Sequence, residues 1–167
     1  MKIRDIINRF AFLAFFITFS CGTTSQKKVQ INDQLRQLLE SKVFVFIPQS
    51  ASPSSGGAIQ LTSDFYLKIS NDTLKSYLPY YGVAYQARFG SASSPLDFSS
   101  TDFDYTSKVL KNGTYDINIR LNNPNDPNQL ILSVSSSGYA NLRVISMNRQ
   151  PIFFYGEVTE PRVHRKK

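Results

Sequence analysis

The sequence predicts an all-β domain: an antiparallel meander of about eight strands closed into a barrel and preceded by one short helix, with a β-sandwich as the alternative. Three observations predict it. From Val43 onward apolar residues recur with period two, the spacing that puts alternate side chains on one face of a strand. Turn-forming groups, Asn71-Asp72, Asn112-Gly113 and Ser136-Ser137-Gly138, interrupt the alternation at short intervals. Helical spacing after the N-terminal apolar run is confined to residues 31–42, where Ile31, Leu35, Leu38 and Leu39 fall at i, i+4, i+7 and i+8 behind Asn32 or Asp33 as the cap.

After that helix, Val43-Phe44-Val45-Phe46-Ile47 is the first apolar run, ended by Pro48. Phe65, Leu67 and Ile69 alternate with Tyr66, Lys68 and Ser70. Asn71-Asp72 then makes a two-residue turn that tolerates positive φ, and residues 73–80 return as the partner strand. Residues 97–104 read as a polar loop entering a strand, with Asp102 and Asp104 on its wet face. In residues 114–121 the alternation is strict: Tyr115, Ile117, Ile119 and Leu121 face one way, and Thr114, Asp116, Asn118 and Arg120 the other. Residues 122–128 are a turn-rich loop, and further strands follow at 129–135, 139–147 and 152–158. Consecutive hairpins close most simply into an up-and-down barrel, whose interior at about eight strands is filled by side chains or holds one small ligand.

The N-terminus carries a different signal. Lys2, Arg4 and Arg9 precede the short apolar run 10–19, and Ser20-Cys21-Gly22 follows at once. This is the layout of a secretory signal, and the run is too short for the roughly 20 apolar residues of a spanning helix. A small residue directly before a cysteine at this place resembles the lipobox of bacterial lipoproteins, although Thr18 and Phe19 stand where such boxes usually carry Leu and a small residue. The resemblance implies cleavage after residue 20, acylation of Cys21 and attachment to a membrane through that lipid. The expected organisation is a signal peptide over 1–20, a flexible tether over 21–29, one domain over 30–160 and a basic tail over 161–167.

Composition excludes several function classes. The formal net charge of +7 includes Lys2, Arg4 and Arg9 of the signal and Arg162, Arg165, Lys166 and Lys167 of the tail, so the body is nearly neutral. A nucleic-acid binder needs a basic face on the domain itself, and none is expected here. Cys21 is the only cysteine, so there is no disulfide framework. The single histidine, His164, lies in the tail, which removes Ser-His-Asp and Cys-His chemistry and any multi-histidine zinc site. Asp97, Asp102 and Asp104 are close in sequence but read as a loop rather than a hydrolytic pair. No metal site, no cofactor and no enzymatic activity are expected.

The segments Leu61-Thr62-Ser63-Asp64-Phe65-Tyr66-Leu67, Tyr77-Leu78-Pro79-Tyr80-Tyr81-Gly82-Val83-Ala84-Tyr85 and Ser137-Gly138-Tyr139-Ala140-Asn141-Leu142, with Asn148-Arg149-Gln150 and Tyr155-Gly156, resemble a Bacteroidetes family known as domain of unknown function 4251. The resemblance spans residues from about 30 to 160. It implies an envelope lipoprotein whose barrel is lipocalin-like, and it brings no activity or site with it. Exported lipoproteins of that phylum that reach the cell surface tend to carry acids just after the cysteine. Residues 22–28 have none and include Lys27 and Lys28, so an outer-membrane protein facing the periplasm is expected.

The candidate contact region is the aromatic stretch Tyr77, Tyr80, Tyr81, Tyr85 and Phe89 with Arg88, which would line or plug one end of the barrel. Two roles follow: a binding module for a small apolar or glycan ligand, or a structural or interaction subunit of an envelope protein complex. An enclosed cavity would favour the first, and a packed interior with exposed aromatics the second. Asp72-Thr73-Leu74 resembles the acceptor triplet of Bacteroidetes O-glycosylation, making Thr73 a candidate modification site beside the predicted turn.

Overall fold

A computed structural model of the chain describes residues 33–85, 94, 96–122 and 127–161. The expected signal peptide, Cys21, the tether, Asn32, Arg88, Phe89 and the tail beyond Pro161 lie outside the described residues. Among the described residues one helix, α1 (Asp33–Glu40), precedes ten strands: β1 (Val43–Pro53), β2 (Ile59–Gln60), β3 (Tyr66–Ser70), β4 (Thr73–Tyr77), β5 (Asp97–Ser100), β6 (Phe103–Val109), β7 (Tyr115–Leu121), β8 (Gln129–Val134), β9 (Tyr139–Ile145) and β10 (Ile152–Thr159).

Among the described residues all ten strands belong to one antiparallel sheet in the order β5-β4-β3-β1-β10-β9-β8-β7-β6, with β2 beside the second half of β1. The sheet curls into a nearly closed barrel, not the two facing sheets of a sandwich. The first and last strands pair from Val45 opposite Thr159 to Pro53 opposite Ile152. The break in the ring lies in mid-chain, between β5 and β6, which are joined by Thr101 and Asp102 without pairing.

The strands obey the expected alternation. Tyr115, Ile117, Ile119 and Leu121 are buried, whereas Arg120 is exposed. Ser70 pairs with Thr73, so Asn71-Asp72 is a two-residue hairpin turn, with φ of 51° at Asn71. Gly113 (φ 79°) and Gly138 (φ 89°) occupy the next predicted turns. Inward side chains from β1, β3, β4 and β7 to β10 form one contiguous apolar cluster, with Phe44, Phe46 and Phe154 at most 1% exposed. Ser76 is the one buried polar residue among those described, and its hydroxyl donates to the Leu96 carbonyl at 2.7 Å. Burying a hydroxyl is tolerable on those terms.

Four expectations need correction. Pro48 does not end β1. The strand continues to Pro53 by a register shift between Pro48 and Ser50, with exposed Gln49 as the extra residue. Proline lacks the N–H that a ladder needs, and a bulge is where that loss is accommodated. Opposite it, β10 carries Gly156, where an added Cβ would run into the Ile47 carbonyl and lie 2.7 Å from the Pro48 Cα. The bulge and the glycine therefore form one device that lets β1 and β10 approach.

Residues 97–104 are not a loop entering a strand. Residues 97–100 form β5, held to β4 by pairs from Leu74 with Ser100 to Tyr77 with Asp97. The returning strand after Asn71-Asp72 ends at Tyr77 rather than residue 80. Beyond it Leu78 stays buried, and its carbonyl accepts a 2.7 Å hydrogen bond from the Ser94 hydroxyl.

The helix ends at Glu40 rather than Lys42 but buries Leu35 and Leu39 of the predicted stripe against the sheet. It stops because Lys42 adopts φ of 55°, the left-handed conformation typical just past a helix end. Its ammonium then lies 5.1 Å from the centre of the Tyr105 ring, and the Tyr105 hydroxyl donates to the Leu39 carbonyl at 3.2 Å. Helix α1 is thus tied to β6, one side of the break in the ring.

Candidate interaction surface

The tyrosine-rich stretch does not form one cluster. Tyr77 points outward from β4 and packs on Phe65 and Tyr66, with ring centres 5.4 and 6.0 Å apart. Tyr80 and Tyr81 pack against the core instead. The Tyr80 hydroxyl lies 3.1 Å from the Val83 carbonyl and 3.0 Å from that of Gln150, donating into both, and the Arg149 guanidinium sits 5.6 Å from its ring centre. Backbone bonds from Gln150 to Val83 and from Tyr85 to Asn148 complete this lock between the two loops. Tyr85 is exposed at its edge. Tyr80 and Tyr81 therefore have a packing role, and Tyr77 belongs to a different surface.

That surface is the outer face of β3 and β4. Register puts Tyr66 opposite Tyr77, Lys68 opposite Lys75 and Ser70 opposite Thr73. The two lysines face one another in a position where like charges repel. Their outer neighbours in the same row, Ser99 and Val45, supply no acid. An aromatic trio beside two opposed cations suits a partner that is flat or weakly acidic. Thr73 is exposed directly after the turn, where an attached group would project into solvent.

A second aromatic surface lies on β9 and β10. Tyr139 and Tyr155 stack with centres 5.9 Å apart and planes 7° from parallel, and the Arg143 guanidinium lies 5.5 Å from the Phe153 ring centre. Here the rings and the cation satisfy one another. Neither Tyr66 with Tyr77 nor Tyr139 with Tyr155 stands out in sequence, because the first pair meets directly across β3 and β4 and the second diagonally across β9 and β10. The available signal was confined to β10, where Phe153 and Tyr155 occupy successive outward positions.

Among the described residues no group of three His, Cys, Asp or Glu side chains could hold a metal. Asp97, Asp102 and Asp104 are all exposed, and Asp102 accepts a 2.9 Å bond from the Asn122 amide. Burial pushes the Tyr105 phenol up to about 12, so it stays protonated as a donor to the helix. A shallow groove of ≈ 190 Å³ opens between α1 and the β8–β9 turn, lined by Leu35, Leu38, Gly138 and Glu160 among others. No helix among the described residues is long and apolar enough to cross a membrane.

The model of the family described as Domain of unknown function (DUF4251) matches residues 26–158. The chain belongs to this family. Its fold is similar to the crystal structure of a DUF4251 family protein from Bacteroides eggerthii DSM 20697, with a TM-score of 0.54 at 13% identity, covering 77% of this chain and 86% of that one. Among curated proteins none matches. Family membership thus agrees with the resemblance drawn from the sequence, and at this identity the structural likeness speaks for the fold alone.

Proposed function

We propose that this DUF4251 protein is a lipid-anchored, non-enzymatic protein of the cell envelope that binds its partner through the outside of the barrel. Of the two roles expected from the sequence, a cavity for a small apolar or glycan ligand and an interaction surface for an envelope complex, the second has the better support. The observation that carries it is the contrast between a contiguous apolar core and the exposed Tyr77, packed on the half-buried Phe65 and Tyr66 beside the opposed Lys68 and Lys75. Aromatic side chains offer large, rigid contact area at small entropic cost, which makes them favoured anchors of interfaces. Anchoring through Cys21 at the outer membrane, facing the periplasm, would hold this face within reach of envelope partners, and no cofactor is required.

The reading is tested by mass spectrometry of material co-purifying with the native protein, in parallel with the Tyr77→Ser and Lys75→Glu variants. A partner retained by the parent and lost from both variants is the expected result. A small ligand retained equally by all three would return the function to the barrel interior. Separately, Cys21→Ser should abolish labelling by a palmitate analogue, and continued labelling would remove the lipid anchor from the proposal.

A further inference from the structure

The ring breaks between β5 and β6, and its two edges are unlike. β5 has four residues, whereas β6 has seven and no strand on its outer side among those described. Four consecutive residues of β6, Thr106 to Val109, are exposed, and Val109 and Leu110 are 53% and 41% exposed. The strand contains no proline, no bulge and no inward-pointing charge, and exposed Asp104 and Lys108 are the only charges on this edge.

The hydrogen-bonding parity of this edge follows from its pairing with β7. The Leu110 N–H donates to Thr114, and the Asn122 N–H donates to Asp102. In an antiparallel ladder bonded pairs alternate with unbonded ones, so Asp104, Thr106 and Lys108 bond toward β7. Phe103, Tyr105, Ser107 and Val109 therefore direct their N–H and C=O groups away from it.

We propose that β6 pairs antiparallel with β6 of a second copy of this chain, about a two-fold axis at Thr106. This register joins Phe103 to Val109 and Tyr105 to Ser107 of the second copy, so all four outward-directed residues are used and about eight backbone hydrogen bonds form. A two-fold at Tyr105 or at Ser107 would leave one of the four unmatched. The same register sets Asp104 opposite Lys108 of the second copy, twice, at unbonded positions where facing side chains come closest. It also covers the exposed Val109 with the Phe103 ring. Within its own chain Lys108 already reaches Asp116 at 3.2 Å, and the second copy's Asp104 would approach it from the other side. A two-fold contact of this kind is closed and self-complementary, so it stops at a dimer.

The full-length chain carrying Thr106→Cys tests this directly, because two facing unbonded positions stand at a separation that a disulfide spans. After oxidation of whole cells with copper phenanthroline, a reducible dimer is expected from Thr106→Cys and none from Asn118→Cys, one strand inward. Adding Asp104→Lys or Lys108→Asp to Thr106→Cys should each lower the dimer yield about tenfold, since both opposed pairs become repulsive. Co-expressing those two double variants should restore it, because each then meets its opposite charge. Ser107→Pro, which removes an outward N–H and spares the β7 ladder, should also abolish crosslinking while leaving the monomer folded by circular dichroism. No dimer from Thr106→Cys, or a dimer indifferent to the charge changes, overturns the proposal.

Discussion

The barrel has two junctions, and they differ in how each is made. At the first, β1 meets β10 along eight residue pairs, and the fit depends on a bulge after Pro48 and the bare backbone of Gly156 opposite it. At the second, β5 and β6 are separated by only Thr101 and Asp102, yet no ladder joins them, and α1 reaches across to β6 through Tyr105 and Lys42. Strands far apart in sequence are thus zipped together, whereas strands adjacent in sequence are left apart. Proximity along the chain lowers the entropic cost of meeting, but it does not supply matching hydrogen-bonding edges. The closed junction is backbone against backbone, and the open one relies on side chains.

Breaking the closed junction should have the largest effect. Gly156→Ala puts a methyl group into the Ile47 carbonyl, and because the obstacle is main chain the strands must separate. A loss of about 4 kcal/mol or more is expected in urea denaturation, at the upper end for one substitution. A loss below about 1 kcal/mol would mean that β1 and β10 adjust freely.

A core position shared by both halves of the ring sets the middle of the scale. Ile117→Ala or Ile119→Ala should cost about 2 to 5 kcal/mol through lost burial and an unfilled cavity. Arg120→Ala, on the exposed face of the same strand, should change stability by about 0.5 kcal/mol or less. Equal losses on the two faces would contradict the inside and outside assigned to β7.

The open junction should be the least sensitive. Tyr105→Phe removes the hydroxyl that donates to Leu39 and should cost about 1 kcal/mol. Its pH dependence sharpens the comparison. A phenol raised to about 12 in the folded chain titrates near 10 when unfolded, so its contribution is complete below pH 10 and is lost as pH rises toward 12. The parent should therefore lose stability across that window relative to Tyr105→Phe. Parallel pH profiles would show that this hydroxyl is not buried against the helix.

Much of the strand content was legible because alternation and turn chemistry are local. Residues 114–121 predicted their own burial, and Asn71-Asp72 predicted its own turn. β5 escaped notice because Asp97-Phe98-Ser99-Ser100 has a single apolar residue, and it is a strand only because β4 pairs with it. Pro48 misled in the opposite sense, since whether a proline ends a strand depends on what lies across from it. The fold likewise divides the tyrosine-rich stretch. Tyr77 and Tyr80 are three residues apart, but the strand ends between them, sending one ring onto Phe65 and Tyr66 and the other onto Gln150 and Arg149.

The sequence by itself determined the all-β class, the amphipathic helix, most turns, which face is buried in residues 65–70 and 114–121, and the family to which the chain belongs. These follow from side-chain period and backbone preference, which a residue carries wherever the chain places it. Only the tertiary structure decided that β1 closes on β10, that β5 and β6 stay apart, and that Lys68 faces Lys75. Those are matters of register between distant strands, where edge complementarity, a bulge and one missing Cβ choose among pairings that the local pattern leaves equivalent.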